Sequence, residues 1–187
     1  MPRYPAPPLA ADRWSLRPWR AEDAPRLADA FRDAAIRRSI PDLPRSPTVA
    51  DGEAFVRRAR VRTESGQGIH LAIANADDDR AIGAVTLHAP EPDHWYVGYW
   101  MAPEVRRRGI TSEALAAATR WAFAAHPVLV RISLFTRPDN EASHRVATRA
   151  GFTREGVLRR WHEANGIRKD VVMFSLVRGD LEPSGRG

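Results

Sequence analysis

Apolar residues along this chain fall into two rhythms. Residues 69–75, 81–87 and 94–101 are short runs dense in aliphatic and aromatic side chains, bounded by Ala76-Asp77-Asp78-Asp79 and by Pro90 and Pro92. Runs of that length between turn-forming residues predict strands, the first two joined as a hairpin. Residues 128–136 form a nearly continuous β-branched and apolar run, as in a central strand. Residues 13–19 alternate like an edge strand that Pro18 cuts short, and two last strands are predicted near 152–160 and 168–177. Elsewhere the spacing becomes helical. Val49, Phe55, Val56 and Ala59 mark one stripe of a helix capped by Thr48 and running to about Glu64. Ile110, Ala114, Leu115, Ala118, Trp121 and Ala122 mark another over 109–125. A helix over 22–31 carries acidic residues in its first turn, and one over 140–150 stops at Gly151. The predicted order is strand, two helices, three strands, helix, strand, helix, two strands: a mixed α/β domain of about seven strands and four helices.

Length agrees with one domain. At 187 residues, 43% hydrophobic and 28% charged, the chain suits a single globular unit with a sizeable core. That unit is expected over residues 13–178, with flexible segments at 1–12, where prolines gather, and 179–187. Cysteine is absent, which removes disulfides, thiolate zinc sites and a cysteine nucleophile. The six histidines show no metal-ligand spacing, so no metal is expected. No apolar run approaches the ~20 residues of a membrane span, and a cytoplasmic location is the default expectation. The excess of 29 basic over 23 acidic residues rests on arginine, Lys169 being the only lysine. Its clusters are dispersed and lack the interleaved exposed aromatics of a single-strand binder, which argues against nucleic acid as partner.

Candidate chemistry concentrates where residues 97–115 read VGYWMAPEVRRRGITSEAL: an apolar strand, an arginine-glycine turn, then a helix. Helix N-termini present unpaired backbone N–H groups to anions. With Arg106, Arg107, Arg108 and Gly109 at that point, the turn suits a pyrophosphate.

The turn resembles the pyrophosphate loop of the GNAT acyltransferases, [QR]xxGx[GA], with Arg106 and Gly109 matching and Thr111 departing. A second stretch strengthens the resemblance. Asn140 opens a helix, Ser143 follows, and Gly151-Phe152, Glu155, Gly156, Leu158 and Arg159 complete a GFxxEGxLR pattern, with Asp170-Val171-Val172-Met173 further on. The chain is most similar to the branch that acetylates N-termini of ribosomal proteins, over roughly residues 14–177. This resemblance implies a mostly antiparallel, twisted mixed sheet whose fourth and fifth strands splay apart. Pantetheine of acetyl-CoA would lie in the gap, bonded by the backbone of Trp100, Met101 and Ala102, with the acyl oxygen near the N–H of Met101 or Ala102. Arg106, Arg107, Arg108, Gly109, Ile110 and Thr111 would hold the diphosphate, and Asn140 and Ser143 would face the thioester.

Acyl transfer to an amine requires a neutral nucleophile, a stabilised oxyanion and a proton for the thiolate. The resemblance nominates Ser143 as the acid; Ala147 stands where many GNAT branches carry a helix tyrosine. For the base it points to His162, with Glu163 adjacent, an imidazole being suited to proton abstraction near neutrality. The implied activity is acetyl transfer from acetyl-CoA to a primary amine by direct attack, on a protein N-terminus or a small molecule. A homodimer is common among proteins of this resemblance. A noncatalytic CoA-binding or nucleic-acid-associated regulator on the same fold is the alternative, because Tyr96 occupies a strand position that is often acidic.

Overall fold

A computed structural model describes residues 3–38, 40, 43–164 and 166–181; the remainder of the expected C-terminal tail, 182–187, lies outside the described residues. The chain enters through β1 (Leu9–Ala11) and β2 (Trp14–Pro18), then α1 (Ala24–Ala30), α2 (Ala34–Arg37) and α3 (Val49–Glu64). Three strands follow, β3 (Gly68–Asn75), β4 (Ala81–His88) and β5 (His94–Met101), then α4 (Ile110–Ala125), β6 (Arg131–Thr136) and α5 (Glu141–Arg149). The hairpin of β7 (Thr153–Ala164) and β8 (Ile167–Val177) ends the sheet, extending beyond the strands expected near 152–160 and 168–177.

Eight strands pair in the order β1-β2-β3-β4-β5-β6-β8-β7. Every neighbouring pair is antiparallel except β5 with β6. The strand beyond the seven expected is β1, whose Leu9 pairs with Leu16 inside the proline-rich lead. The additional helix is the short α2, which Asp33 caps by accepting from the N–H groups of Ala35 and Ile36.

Alternation sorts the sheet into two faces. Trp14, Leu16, Ile69, Leu71, Ile73, Val85, Leu87, Trp95, Val97 and Met101 pack with Ile110, Ala114, Leu115, Ala118 and Ala122 of α4. The opposite face supplies Ala72, Ala84 and Trp100, which meet Trp19, Leu27, Phe31, Ile36 and Ala59 from the first three helices and their approaches. Each large aliphatic side chain fully buried this way contributes about 1.5–3 kcal/mol. Small sheet residues on the second face let those helices come close. A Cβ on Gly52 of α3 would lie 2.2 Å from the carbonyl oxygen of Ala24, so the contact between α3 and the start of α1 requires glycine.

One buried ion cluster pins the edge. Arg17 of β2, 4% exposed, donates to both carboxylate oxygens of Asp23 (2.8 and 3.0 Å) and to Asp79 Oδ1 (2.8 Å) in the acidic turn between β3 and β4. Of the three aspartates in that turn, Asp79, at φ 54°, is the one that partners the buried arginine.

Candidate active site at the parting of β5 and β6

β5 pairs with β6 only at His94, Trp95 and Tyr96, opposite Arg131, Ile132 and Ser133. Beyond Tyr96 the strands part, while β5 keeps its ladder with β4 to Met101 and β6 keeps its ladder with β8 to Thr136. The expected splay is present.

Strand parity identifies the groups that face the gap. Ala102 donates its N–H to the Ile82 carbonyl (2.9 Å), and the register sets Trp100 opposite Ala84 and Gly98 opposite Thr86. Hydrogen-bonding groups alternate sides along an antiparallel strand. Those of Gly98, Trp100 and Ala102 therefore turn to β4, and those of Val97, Tyr99 and Met101 turn to the gap. This corrects the expected use of the Trp100 and Ala102 backbones. The Trp100 ring is likewise committed, stacked on Trp19 at 6.1 Å within the core. The Met101 carbonyl accepts from Arg106 Nε at 2.9 Å, and by the same parity its N–H faces the gap.

The turn into α4 leaves backbone amides open at the head of the helix. Arg107 and Gly109 both have positive φ, 64° and 81°, a left-handed backbone that turns successive amides toward one side. Among the described residues no acceptor is paired with the N–H groups of Gly109, Ile110 or Thr111, because the helix bonds begin with Ser112 and Glu113 donating to Gly109 O. The glycine is required by its φ alone: a Cβ there would meet only Glu113 Oε1, at 3.5 Å. Two braces hold the loop. Arg13 donates to Arg108 O (2.9 Å) and to Glu113 (2.6 Å), whose other oxygen accepts from the Trp14 indole at 3.0 Å. Arg106 donates to Asp33 at 2.7 Å. Its guanidinium is thus a structural tie between the loop and α2, not a free phosphate ligand, whereas Arg107 and Arg108 are exposed.

At the other wall, Asn140 caps α5, accepting from the Ser143 N–H at 3.2 Å. Ser143 Oγ lies 2.7 Å from the hydroxyl of Tyr99, which crosses from the unpaired part of β5 and also donates to the Ser143 carbonyl at 3.1 Å. Burial raises the Tyr99 pKa to about 12, against the opposing pull of the serine hydrogen bond, so the phenol stays neutral. Ala147 is completely buried and brings no hydroxyl. Tyr99 is not among the site residues nominated from the sequence. Its strand parity with Val97 and Met101 was the available signal that it points to the α4 and α5 side.

The opposite face of the gap carries a ladder of rings. His94 and Tyr96 are 4.7 Å apart, Tyr96 and Phe135 5.6 Å, and Phe135 and Trp161 6.1 Å. His94 Nε2 is 2.8 Å from Ser133 Oγ. Beside it Arg131 grips Glu155 at 2.9 Å, and Ser175 donates to the same carboxylate at 2.7 Å. These bonds, the arginine's first, hold the Glu155 pKa near 2 against a smaller opposing effect of burial. Glu155 bridges strands. Gly98 adjoins the ladder, with nothing within 4 Å of a Cβ built on it.

The structure brings Asn140, Ser143, Tyr99 and the gap together. It places His162 and Glu163 elsewhere, exposed on the outer part of the hairpin and paired in register with Lys169 and Arg168. Glu163 is 3.6 Å from Arg168. Among the described residues no group of three or more acidic or histidine side chains is arranged to hold a metal, and no helix is long and apolar enough to cross a membrane.

A sheet parted at its centre, with open amides at the head of α4 and the capped α5 across from β5, fits a thioester-dependent acyltransferase. The chain belongs to the GNAT acetyltransferase family: the acetyltransferase (GNAT) domain model matches residues 13–153. It is 29% identical to the uncharacterized N-acetyltransferase YoaA of Bacillus subtilis, over 92% of this chain and 97% of that one. It is 31% identical to the ribosomal-protein-serine acetyltransferase of Escherichia coli, over 54% and 56% of the two chains. Among solved structures, RimL, a ribosomal alpha-N-protein acetyltransferase in complex with coenzyme A, superposes with a TM-score of 0.77 and 25% identity, covering 90% of this chain and 96% of that one. The protein is an acyl-CoA-dependent N-acetyltransferase with acetyl-CoA as cosubstrate and an amine as acceptor. The regulator alternative is not favoured.

Proposed function

We propose that the protein transfers the acetyl group of acetyl-CoA to the α-amine of a polypeptide N-terminus, by direct attack in the gap between β5 and β6. The observation that carries the site is the loss of β5–β6 pairing after Tyr96, which leaves the Met101 N–H free beside a space that a strand-like pantetheine arm fills. The diphosphate binds the N–H groups of Gly109, Ile110 and Thr111, with Arg107 and Arg108 as exposed counter-charges. The Met101 N–H polarises the acetyl carbonyl as negative charge develops on its oxygen. Ser143, held at the start of α5 next to Asn140, delivers a proton to the departing thiolate.

The amine enters from the Tyr96 and Phe135 face, opposite Ser143. The base nominated by the resemblance, His162, lies exposed on the hairpin away from the gap, as does Glu163, which is 3.6 Å from Arg168, so the amine proton is assigned to water. The polypeptide acceptor is supported by the Escherichia coli relative, a ribosomal-protein-serine acetyltransferase, and by RimL, a ribosomal alpha-N-protein acetyltransferase. A homodimer belongs to the same proposal, and light scattering of the purified chain decides it. We place the reaction in the cytoplasm, where acetyl-CoA is available.

A thiol-release assay with acetyl-CoA against peptides and small amines tests this. Turnover with peptides carrying a free α-amine, abolished by blocking that amine, is expected. Turnover confined to small amines overturns the polypeptide acceptor, and CoA binding without turnover across both panels overturns the enzyme assignment.

A further inference from the structure

We infer that Tyr99 is the positioning residue for Ser143, feeding the serine hydroxyl the proton that it passes to the departing thiolate. The inference rests on Ser143 being the proton donor and adds to it the source of the proton.

Hydrogen counting carries the case. A phenol has one proton, a carbonyl only accepts, and a serine hydroxyl does either. Tyr99 makes two contacts with Ser143, to the carbonyl at 3.1 Å and to Oγ at 2.7 Å. When the phenol donates to the carbonyl, the serine proton lies between the two hydroxyls and is withheld from the gap. When the phenol turns its proton to Oγ, the serine proton is freed for sulfur. The two arrangements interconvert by rotation of two hydrogens, with no heavy atom moving.

Acidity gives the direction. An aliphatic alcohol is a far weaker acid than a thiol, so a serine that gave up its proton unaided would hold an alkoxide more basic than the thiolate it relieved. A phenol, even raised to about 12 by burial as Tyr99 is, remains a stronger acid than an aliphatic alcohol and is the better source. Tyr99 remains protonated in its buried setting and is always loaded to donate. No other described side chain serves: Asn140 is on the Ser143 N–H, His144 Nε2 lies 3.2 Å from the Arg137 carbonyl, and Ala147 has no hydroxyl.

The step balances. The amine nitrogen bonds to the carbonyl carbon, the C–S bond breaks, and sulfur takes the Ser143 proton. Ser143 Oγ takes the Tyr99 proton, and the phenol recovers one from the proton lost by the amine nitrogen, passed through water. Amine and thioester become amide and thiol, with Ser143 and Tyr99 unchanged.

The test uses Tyr99→Phe, Ser143→Ala and the double variant, with CoA affinity by calorimetry and kcat at saturating acetyl-CoA. Tyr99→Phe is expected to lower kcat about tenfold or more, with CoA affinity unchanged, and the double variant to be no slower than Ser143→Ala alone. Wild-type kcat in Tyr99→Phe while Ser143→Ala is impaired overturns the inference and spares the Ser143 assignment; unimpaired Ser143→Ala overturns both. Losses that multiply in the double variant also overturn the inference. Difluorotyrosine at position 99 keeps the ring and hydroxyl but makes the phenol more acidic. It is expected to bring a high-pH loss of kcat into view, and an unmoved pH profile overturns the relay independently of folding.

Discussion

Replacing Gly109 by alanine tests the phosphate turn in a form whose size follows from the backbone. Gly109 sits at φ 81°, ψ −14° at the head of α4, and the space its Cβ would enter is open, the nearest atom being Glu113 Oε1 at 3.5 Å. Sterics against the rest of the protein are therefore not the cost. The cost is that of a left-handed residue bearing a Cβ, about 1–2 kcal/mol. It divides between two readouts. Where Arg13 and Glu113 enforce the native φ, it appears as lost stability; where the loop relaxes, CoA must restore the native turn on binding. The loss of unfolding free energy and the loss of CoA affinity should therefore sum to about 1–2 kcal/mol, a ceiling of about five- to thirtyfold in Kd. Calorimetric titration with CoA and urea unfolding of the apo protein measure the two parts. Acetyl-pantetheine, which lacks the diphosphate, is the control, and its kcat/KM should change much less than that of acetyl-CoA. Equal losses with both donors, or neither readout moved, would refute the assignment of the turn to the diphosphate.

Gly52→Ala puts a Cβ 2.2 Å from the Ala24 carbonyl oxygen and should destabilise the fold by about 1–3 kcal/mol as α3 is pushed off α1, read by chemical denaturation. Asp23→Asn leaves Arg17 buried without its main charge partner and should cost about 3–5 kcal/mol by the same assay. Gly98→Val projects into open space beside Tyr96; the acceptor KM should rise while CoA affinity holds, and a change in CoA affinity instead would place the acceptor elsewhere. Glu155 has a folded pKa of about 2, below its unfolded value of 4.5, so the stability it contributes is present above about pH 4.5 and is lost as pH falls toward 2. The stability difference between wild type and Glu155→Gln should shrink across that window, and a difference that stays constant with pH would contradict the ion pair with Arg131.

How much of this was legible depended on whether the signal was local. The runs at 69–75, 81–87 and 94–101 became β3, β4 and β5 because alternation and turn residues act within a few positions, and Thr48 and Asn140 cap their helices because capping is equally local. The splay was expected only from the resemblance, since no residue of β5 announces that Val97 lacks a partner. β1 was missed because its three residues lie among prolines and are held by the partner strand, not by their own pattern. At the site, the amides of Gly109, Ile110 and Thr111 follow from the glycine at a helix start. Arg106 does not follow, because its partner Asp33 is 73 residues away in a short helix cap. Tyr99 and Ser143 are 44 residues apart and meet only once the strands have parted. Trp100 and Ala102 were misplaced by a parity that the bond from Ala102 to Ile82 sets.

The most direct measurement is a structure of the protein grown with acetyl-CoA. The diphosphate should rest on the N–H groups of Gly109, Ile110 and Thr111, the pantetheine should run along residues 97–101 on the edge facing β6, and the sulfur should lie within reach of Ser143 Oγ. A diphosphate bound elsewhere, such as the groove between β1 and α4 near Arg120 and Arg149, or β5 and β6 zipped together past Tyr96, would contradict it.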